Sequence, residues 1–337
     1  MPREVGKLYK EILKEYITNQ NEEDLYAGQN FSRQFIEKEI SPEDVISIHK
    51  TALKEIIPDL QNELSYSFDF LIEMMIHYGL ALKEHQSLIK KQEELDVEMN
   101  VAAIVQDTLL KTKIPNFPGL DIGLMSVPAK RINGDYIYFV SEAANFASVA
   151  VADVIGKGIP AALCMSMIKF GMDSLQHDKS SPNKVLDTIN RIVEKSVDDS
   201  MFISMFYGKF DAKESVFSYA SAGHEPALLY KSSTGIFTEL DAKGLLLGVH
   251  RNVVYEEQSV LLEDGDFITM MTDGVTETRT NSGFIDEGFI KAILLDVKDE
   301  SAQIIVDTVY EKLGQMQNFE LKDDFTIVVY KKDEKKV

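Results

Sequence analysis

A chain of 337 residues is long enough for two domains, each with a core of its own. Its net charge of −20, from 35 Lys and Arg against 55 Asp and Glu, would repel a phosphate backbone, so nucleic acid is not an expected partner. The single cysteine, Cys164, excludes an internal disulfide or a cysteine-ligated metal cluster and suits a reducing compartment.

From about residue 5 to residue 110 the apolar residues recur at intervals of three and four, as in Leu8, Ile12, Leu13 and Tyr16, then Phe31, Phe35 and Ile36. This is the stripe of amphipathic helices. Ser41-Pro42-Glu43-Asp44 places a capping hydroxyl, a proline and two acids in the order that starts a helix, and Pro58 ends it. Three helices are expected to that point, with a fourth from near Gln61, forming an all-α four-helix bundle. Residues 71–110 contain no proline and one glycine, Gly79, so the fourth helix is expected to run on as a rod. Leu88, Leu95, Ala102 and Leu109 repeat at seven, with Gln92, Met99 and Gln106 between them. Two readings stand for this rod: a polar-interrupted coiled-coil seam between two copies, or a solvated linker packing on its own domain.

After Lys113 the pattern changes. Pro115, Pro118 and Gly119 break the helix, and β-rich runs follow at 121–127, 136–140, 146–152, 201–210, 215–219, 227–230, 266–272 and 325–330. Helical spacing returns at 160–176, 182–197 and 302–315. The class expected is α+β, with a helical domain over 1–83, a linker helix over 84–112 and a sheet-rich domain over 118–332. No apolar run approaches the length of about 18 residues that a membrane span requires. The opening residues lack the apolar centre of an export signal, so a cytoplasmic location is expected, with no membrane partner.

Aspartates border the strands of the second half. Asp135 opens one, Asp153 and Asp273 close two others, and Asp323 and Asp324 precede the last. A carboxylate at the lip of a buried strand is costly unless a cation compensates it. Oxygen ligands without clustered His or Cys favour Mg²⁺ or Mn²⁺ over zinc, and two such ions can polarise a phosphoryl oxygen and activate water. The opposing reading makes each acid a turn or capping residue. Gly156-Lys157-Gly158-Ile159-Pro160 lacks the Gly-Lys-Ser/Thr element of a phosphate loop, and its glycines are expected to turn the chain beside the acids.

Asn-Gly-Asp-Tyr at 133–136, Asp-Val-Ile-Gly-Lys-Gly-Ile-Pro-Ala-Ala-Leu at 153–163, Ser-Ala-Gly-His-Glu-Pro at 221–226, Thr-Asp-Gly-Val-Thr-Glu at 272–277 and Asp-Asp-Phe-Thr at 323–326 stand in the order found in one known family. The chain resembles bacterial PPM/PP2C serine phosphatases of the SpoIIE type, and its helical third resembles the partner-binding domain of their stress-response members. The resemblance implies an α/β/β/α sandwich and two Mn²⁺ or Mg²⁺ ions. It implies Asp153 as the bridging ligand, with Asp135, Asp273, Asp323 and the Val154 carbonyl completing the set and Asp324 as ligand or as neighbour to it. Asp135 and Asp153 would be the catalytic pair, and Lys130 and Arg131 would meet the substrate phosphate. The substrate implied is a phosphorylated STAS-domain anti-anti-sigma factor of the RsbV type, and the activator an RsbT-like switch kinase acting on a homodimer. His224 lies in a family motif as either a structural histidine or a general acid. The alternative function is a degenerate phosphatase that holds a phosphoprotein without cleaving it.

Overall fold

The computed structural model describes residues 2–20, 27, 35, 40–59, 62–142, 145–155, 159–175, 180–196, 201–280 and 283–333. The chain divides into two compact units, residues 1–96 and 97–337.

The first unit is helical, with α1 (Pro2–Asn19), α2 (Pro42–Ile56) and the first part of α3 (Asn62–Leu110). The expected start of α2 is as its sequence signals: Ser41 accepts from the Asp44 amide, Pro42 occupies the first turn, and the helix gives way to Ile57 before Pro58. The second of the four expected helices falls on residues 21–39, most of which lie outside the described residues. Phe35 is helical and buried, packed by Tyr9, Ile12, Val45 and Ile48, and Tyr9 Oη meets His49 Nδ1 at 2.8 Å.

The second unit is a four-layer sandwich. One sheet has the order β2-β3-β4-β5-β8: β2 (Asp135–Glu142), β3 (Phe146–Ile155), β4 (Phe202–Asp211), β5 (Val216–Ala222) and β8 (Glu257–Leu261). The other has the order β1-β12-β9-β6-β7: β1 (Leu120–Val127), β12 (Phe325–Lys332), β9 (Phe267–Met271), β6 (Ala227–Lys231) and β7 (Ile236–Leu240). All pairings are antiparallel. A short hairpin, β10 (Arg279–Thr280) and β11 (Gly283–Phe284), stands apart.

Strand β3 shows why the layers stack. Its Ala147, Val149 and Val151 enter the core between the sheets, with Phe206, Ile268 and Val328. The alternate residues Ala150, Ala152 and Val154 face α4 (Ile159–Ser174) and α5 (Pro182–Ser196), which contribute Met165, Ile168, Leu186 and Ile189. Burial on both faces accounts for a strand that reads as an unbroken apolar run. On the far side, α7 (Glu287–Asp296) and α8 (Ala302–Met316) cover Phe325, Ile327 and Val329 of β12. The order α/β/β/α is therefore the one expected.

The eight expected strands and three expected helices are present. Strands β7 and β8, the hairpin β10–β11 and helices α6 (Asp273–Thr276) and α7 were not foreseen: β7 and β8 are largely exposed edge strands and lack the buried alternation that marks a strand. Cys164, on the inner face of α4, lies in the core, where burial pushes its thiol up to about 11. Among the described residues, no helix is long and apolar enough to cross a membrane.

Candidate active site

Four chain segments bring their acids to one end of the sandwich. In the first sheet Asp135 is the opening residue of β2 and pairs directly with Asp153 near the end of β3. In the second sheet β9 runs into Thr272 and the single-turn helix α6 (Asp273–Thr276), beside the start of β12. Asp323 and Asp324 lead into that strand. Thr272 joins the sheets: its hydroxyl donates to Asp135 Oδ2 at 2.8 Å and accepts from the Thr326 amide at 3.2 Å.

Like charge accumulates here. Asp135 is buried, and burial together with Asp153 and Asp324 holds its carboxyl well above the usual carboxylate range, against hydrogen bonds from Thr326 and Thr272. Burial, then Asp273, Asp323 and Asp324, push Asp153 up to about 7. Asp273 is raised in the same way, by burial and then by Asp323 and Glu277. Among the described residues, the charges that weigh most on these three carboxyls belong to other acids. Isolated burial of this kind disfavours the charged forms, and a divalent cation would reverse that preference.

Glycine permits the approach of the segments. A Cβ on Gly134 would stand 3.0 Å from Asp324 Oδ2, 3.6 Å from Asp153 Oδ1 and 3.7 Å from the Val154 carbonyl oxygen. These three oxygens thus border one small space that only a glycine leaves open. A Cβ on Gly274 would lie 2.0 Å from the Asp324 carbonyl oxygen, so no larger residue fits the turn after Asp273.

The two adjacent acids have different surroundings. Asp324 accepts from the Ala129 amide through Oδ1, at 2.7 Å, and from the Gly134 amide through Oδ2, bracing the loop between β1 and β2. Asp323 is exposed, and its Oδ1 accepts from the Asp324 amide. Lys130 and Arg131 lie exposed on the loop that Asp324 braces. Residues 156–158, where the sequence predicts a turn, lie outside the described residues. Among the described residues, no three carboxylates or imidazoles already stand at the spacing of a single ion's ligands. The donor set is oxygen throughout, which suits a hard divalent cation.

His224 is held at Nδ1 and at its backbone, while its buried Nε2 has no hydrogen-bond partner among the described residues. It is buried, Ser204 Oγ lies 2.8 Å from Nδ1, and its backbone amide donates to Ser221 Oγ. Burial pushes the imidazole down to about 4, the Met271 carbonyl pulling the other way, so the ring is neutral near pH 7.

Two residues near the acids were not singled out from the sequence. Thr272 and Glu225 sit inside quoted motifs, which was the available signal. Glu225 faces Asp273 and takes a 3.4 Å hydrogen bond from Thr276. Gln106, placed by the sequence either in a helical seam or on a linker packing on its own domain, bonds the Asn133 backbone.

This architecture is that of a PP2C-type phosphatase, and the comparisons agree. The family described as Stage II sporulation protein E (SpoIIE) matches residues 145–333, and that of the phosphoserine phosphatase RsbU N-terminal domain matches residues 7–81. Phosphoserine phosphatase RsbU of Bacillus subtilis (strain 168) is 47% identical over 328 residues, covering 97% of this chain and 98% of that protein. Among solved structures, the SiaA-PP2C domain of Pseudomonas aeruginosa aligns with a TM-score of 0.61 at 17% identity, over 72% of this chain and 99% of that one. The PP2C phosphatase domain of Bacillus subtilis SpoIIE, with a fragment of its regulatory domain, gives 0.57 at 19% identity, over 64% of this chain and 62% of that one. At such identities the structural likeness speaks for the fold. The chain belongs to the RsbU phosphatases of the SpoIIE family.

Proposed function

We propose that the protein hydrolyses phosphoserine on a phosphorylated STAS-domain anti-anti-sigma factor of the RsbV type, and so promotes release of a stress-response sigma factor. The observation that carries the reading is the convergence of Asp135, Asp153, Asp273 and Asp323 on one end of the sandwich, where neighbouring acids raise the pKa of the first three. The 47% identity to RsbU supports the substrate class.

In this reading Asp153, with Asp135, Asp273, Asp323 and the Val154 carbonyl, holds two Mn²⁺ or Mg²⁺ ions. Asp324, whose oxygens already accept two backbone N–H groups, keeps the loop before Asp135 in place. When bound, the cations supply Lewis acidity toward the phosphoryl group and lower the pKa of water. Thr272 fixes the rotamer of Asp135, and Lys130 and Arg131 offer positive charge to the incoming phosphate.

The helical unit is read as the regulatory part, over 1–83, joined through 84–112 to the catalytic part over 118–332. Its match to the RsbU N-terminal domain supports an RsbT-like switch kinase as the activator. Leu88, Leu95 and Leu109 are exposed at heptad spacing, which favours a homodimer through the rod. The location assigned is the cytoplasm.

The test is phosphate release from a phosphorylated STAS-domain protein with and without Mn²⁺, for the wild type and Asp153→Asn. Mn²⁺-dependent release lost in the variant is expected. Tight binding of the phosphoprotein without turnover would instead support a scaffold, a role that gives the acid set no purpose.

A further inference from the structure

Between residues 80 and 110, α3 is exposed or half-exposed at every position except Gln106, which is 5% exposed. Its carboxamide makes a two-point contact with one residue of the loop between β1 and β2. Nε2 donates to the Asn133 carbonyl at 2.8 Å, and Oε1 accepts from the Asn133 amide at 3.1 Å. The arrangement copies the exchange of hydrogen bonds between paired strands, in a stretch of backbone that lies outside both sheets. Glutamate would lose the donor and lysine the acceptor, so the contact selects a carboxamide.

What Asn133 does next gives the contact its consequence. Its side-chain Oδ1 accepts from the Asp135 amide at 2.9 Å, and its Nδ2 donates to Ser126 Oγ at 3.3 Å. The next residue, Gly134, is held by Asp324 at its amide and by the Val154 amide at its carbonyl, the latter at 3.1 Å. The entry to β2 therefore has four ties. Two come from the acid site itself, one from Ser126 of β1, and the fourth from a helix whose residues 80–110 are otherwise exposed or half-exposed.

We propose that Gln106 is a positioning residue: its clasp on the Asn133 backbone sets the place of Asp135 and thereby the affinity of the site for divalent cation. This rests on the reading of Asp135 as a metal ligand. Partners that orient metal ligands without touching the ion commonly change affinity by about 10- to 100-fold when removed.

The experiment is calorimetric titration of the full chain with Mn²⁺ alone, without substrate, beside urea unfolding in EDTA. Gln106→Met keeps the length and the packing on Met165 while losing both bonds, and should raise the Mn²⁺ dissociation constant by about tenfold or more. Gln106→Glu, which keeps the acceptor, should fall between it and the wild type. Val193→Ala, a cavity in the core under α5, should lower stability and leave Mn²⁺ affinity unchanged. Wild-type affinity in Gln106→Met, or an equal loss in Val193→Ala, overturns the proposal. Asp135→Asn separates the two levels: Mn²⁺ binding undiminished in that variant would sink the metal-ligand reading itself, whatever Gln106 does.

Discussion

Thr272 donates its hydroxyl to Asp135 across the junction of the two sheets, at 2.8 Å, while the same oxygen accepts from the Thr326 amide. One hydroxyl thus ties the first strand of one sheet to two strands of the other, at the acid site. Thr272→Val keeps the shape and removes both bonds. Unsatisfied buried partners cost about 1–3 kcal/mol each, so the unfolding free energy in urea should fall by roughly that amount or somewhat more. Mn²⁺-dependent phosphatase activity should fall with it, since the Asp135 rotamer loses its hold.

Asp153→Asn should act in opposite directions on activity and on metal-free stability. On the proposed reading Asp153 holds metal, and losing several kcal/mol of transition-state stabilisation corresponds to on the order of 10²- to 10³-fold in rate. The acid's pKa is about 7 in the fold against 3.8 in the open chain, so the folded state holds its proton more tightly. Its contribution is intact below about pH 4 and is lost as pH rises through 7. In EDTA the variant should therefore match the wild type in Tm near pH 4 and exceed it increasingly toward pH 8. A Tm difference independent of pH would contradict this.

Gly274→Ala should be among the most damaging small substitutions. The added Cβ would meet the Asp324 carbonyl oxygen, a backbone atom, at 2.0 Å, and the turn carrying Asp273 would have to move. Overpacking of this kind costs about 1–3 kcal/mol. A urea midpoint unchanged from wild type, with full activity, would show that the turn has room.

His224 should not appear in the pH dependence of catalysis. With its pKa down at about 4 against 6.5 in the unfolded chain, protonation favours unfolding. Stability should decline as pH falls from about 6.5 toward 4, and His224→Asn should lose that part of the decline. The pH profile of kcat between 6 and 9 should keep its shape in the variant; removal of an acidic limb would instead make the imidazole a participant.

Much of this protein is written locally. The Ser41-Pro42 start of α2, the apolar run of β3 and the aspartates at strand ends are signals that act over a few residues, and each holds in the structure. Signals of this range are reliable because caps, periodicity and turn chemistry depend on neighbours along the chain. They also end there. The exposed edge strands β7 and β8 carry no alternating core face, and nothing near Gln106 distinguishes a seam position from a clasp on Asn133.

The sequence by itself determined the helical first part, the layered second part, the set of acids and the family resemblance they compose. Tertiary structure decided how the acids differ: Asp324 bound to the loop amides, Asp323 exposed, and Asp135 gripped by Thr272. The bonds that make these distinctions join residues 190 and 137 positions apart. Such pairings depend on how two sheets are brought face to face, and a buried polar group reveals its partner only when the fold has closed around it.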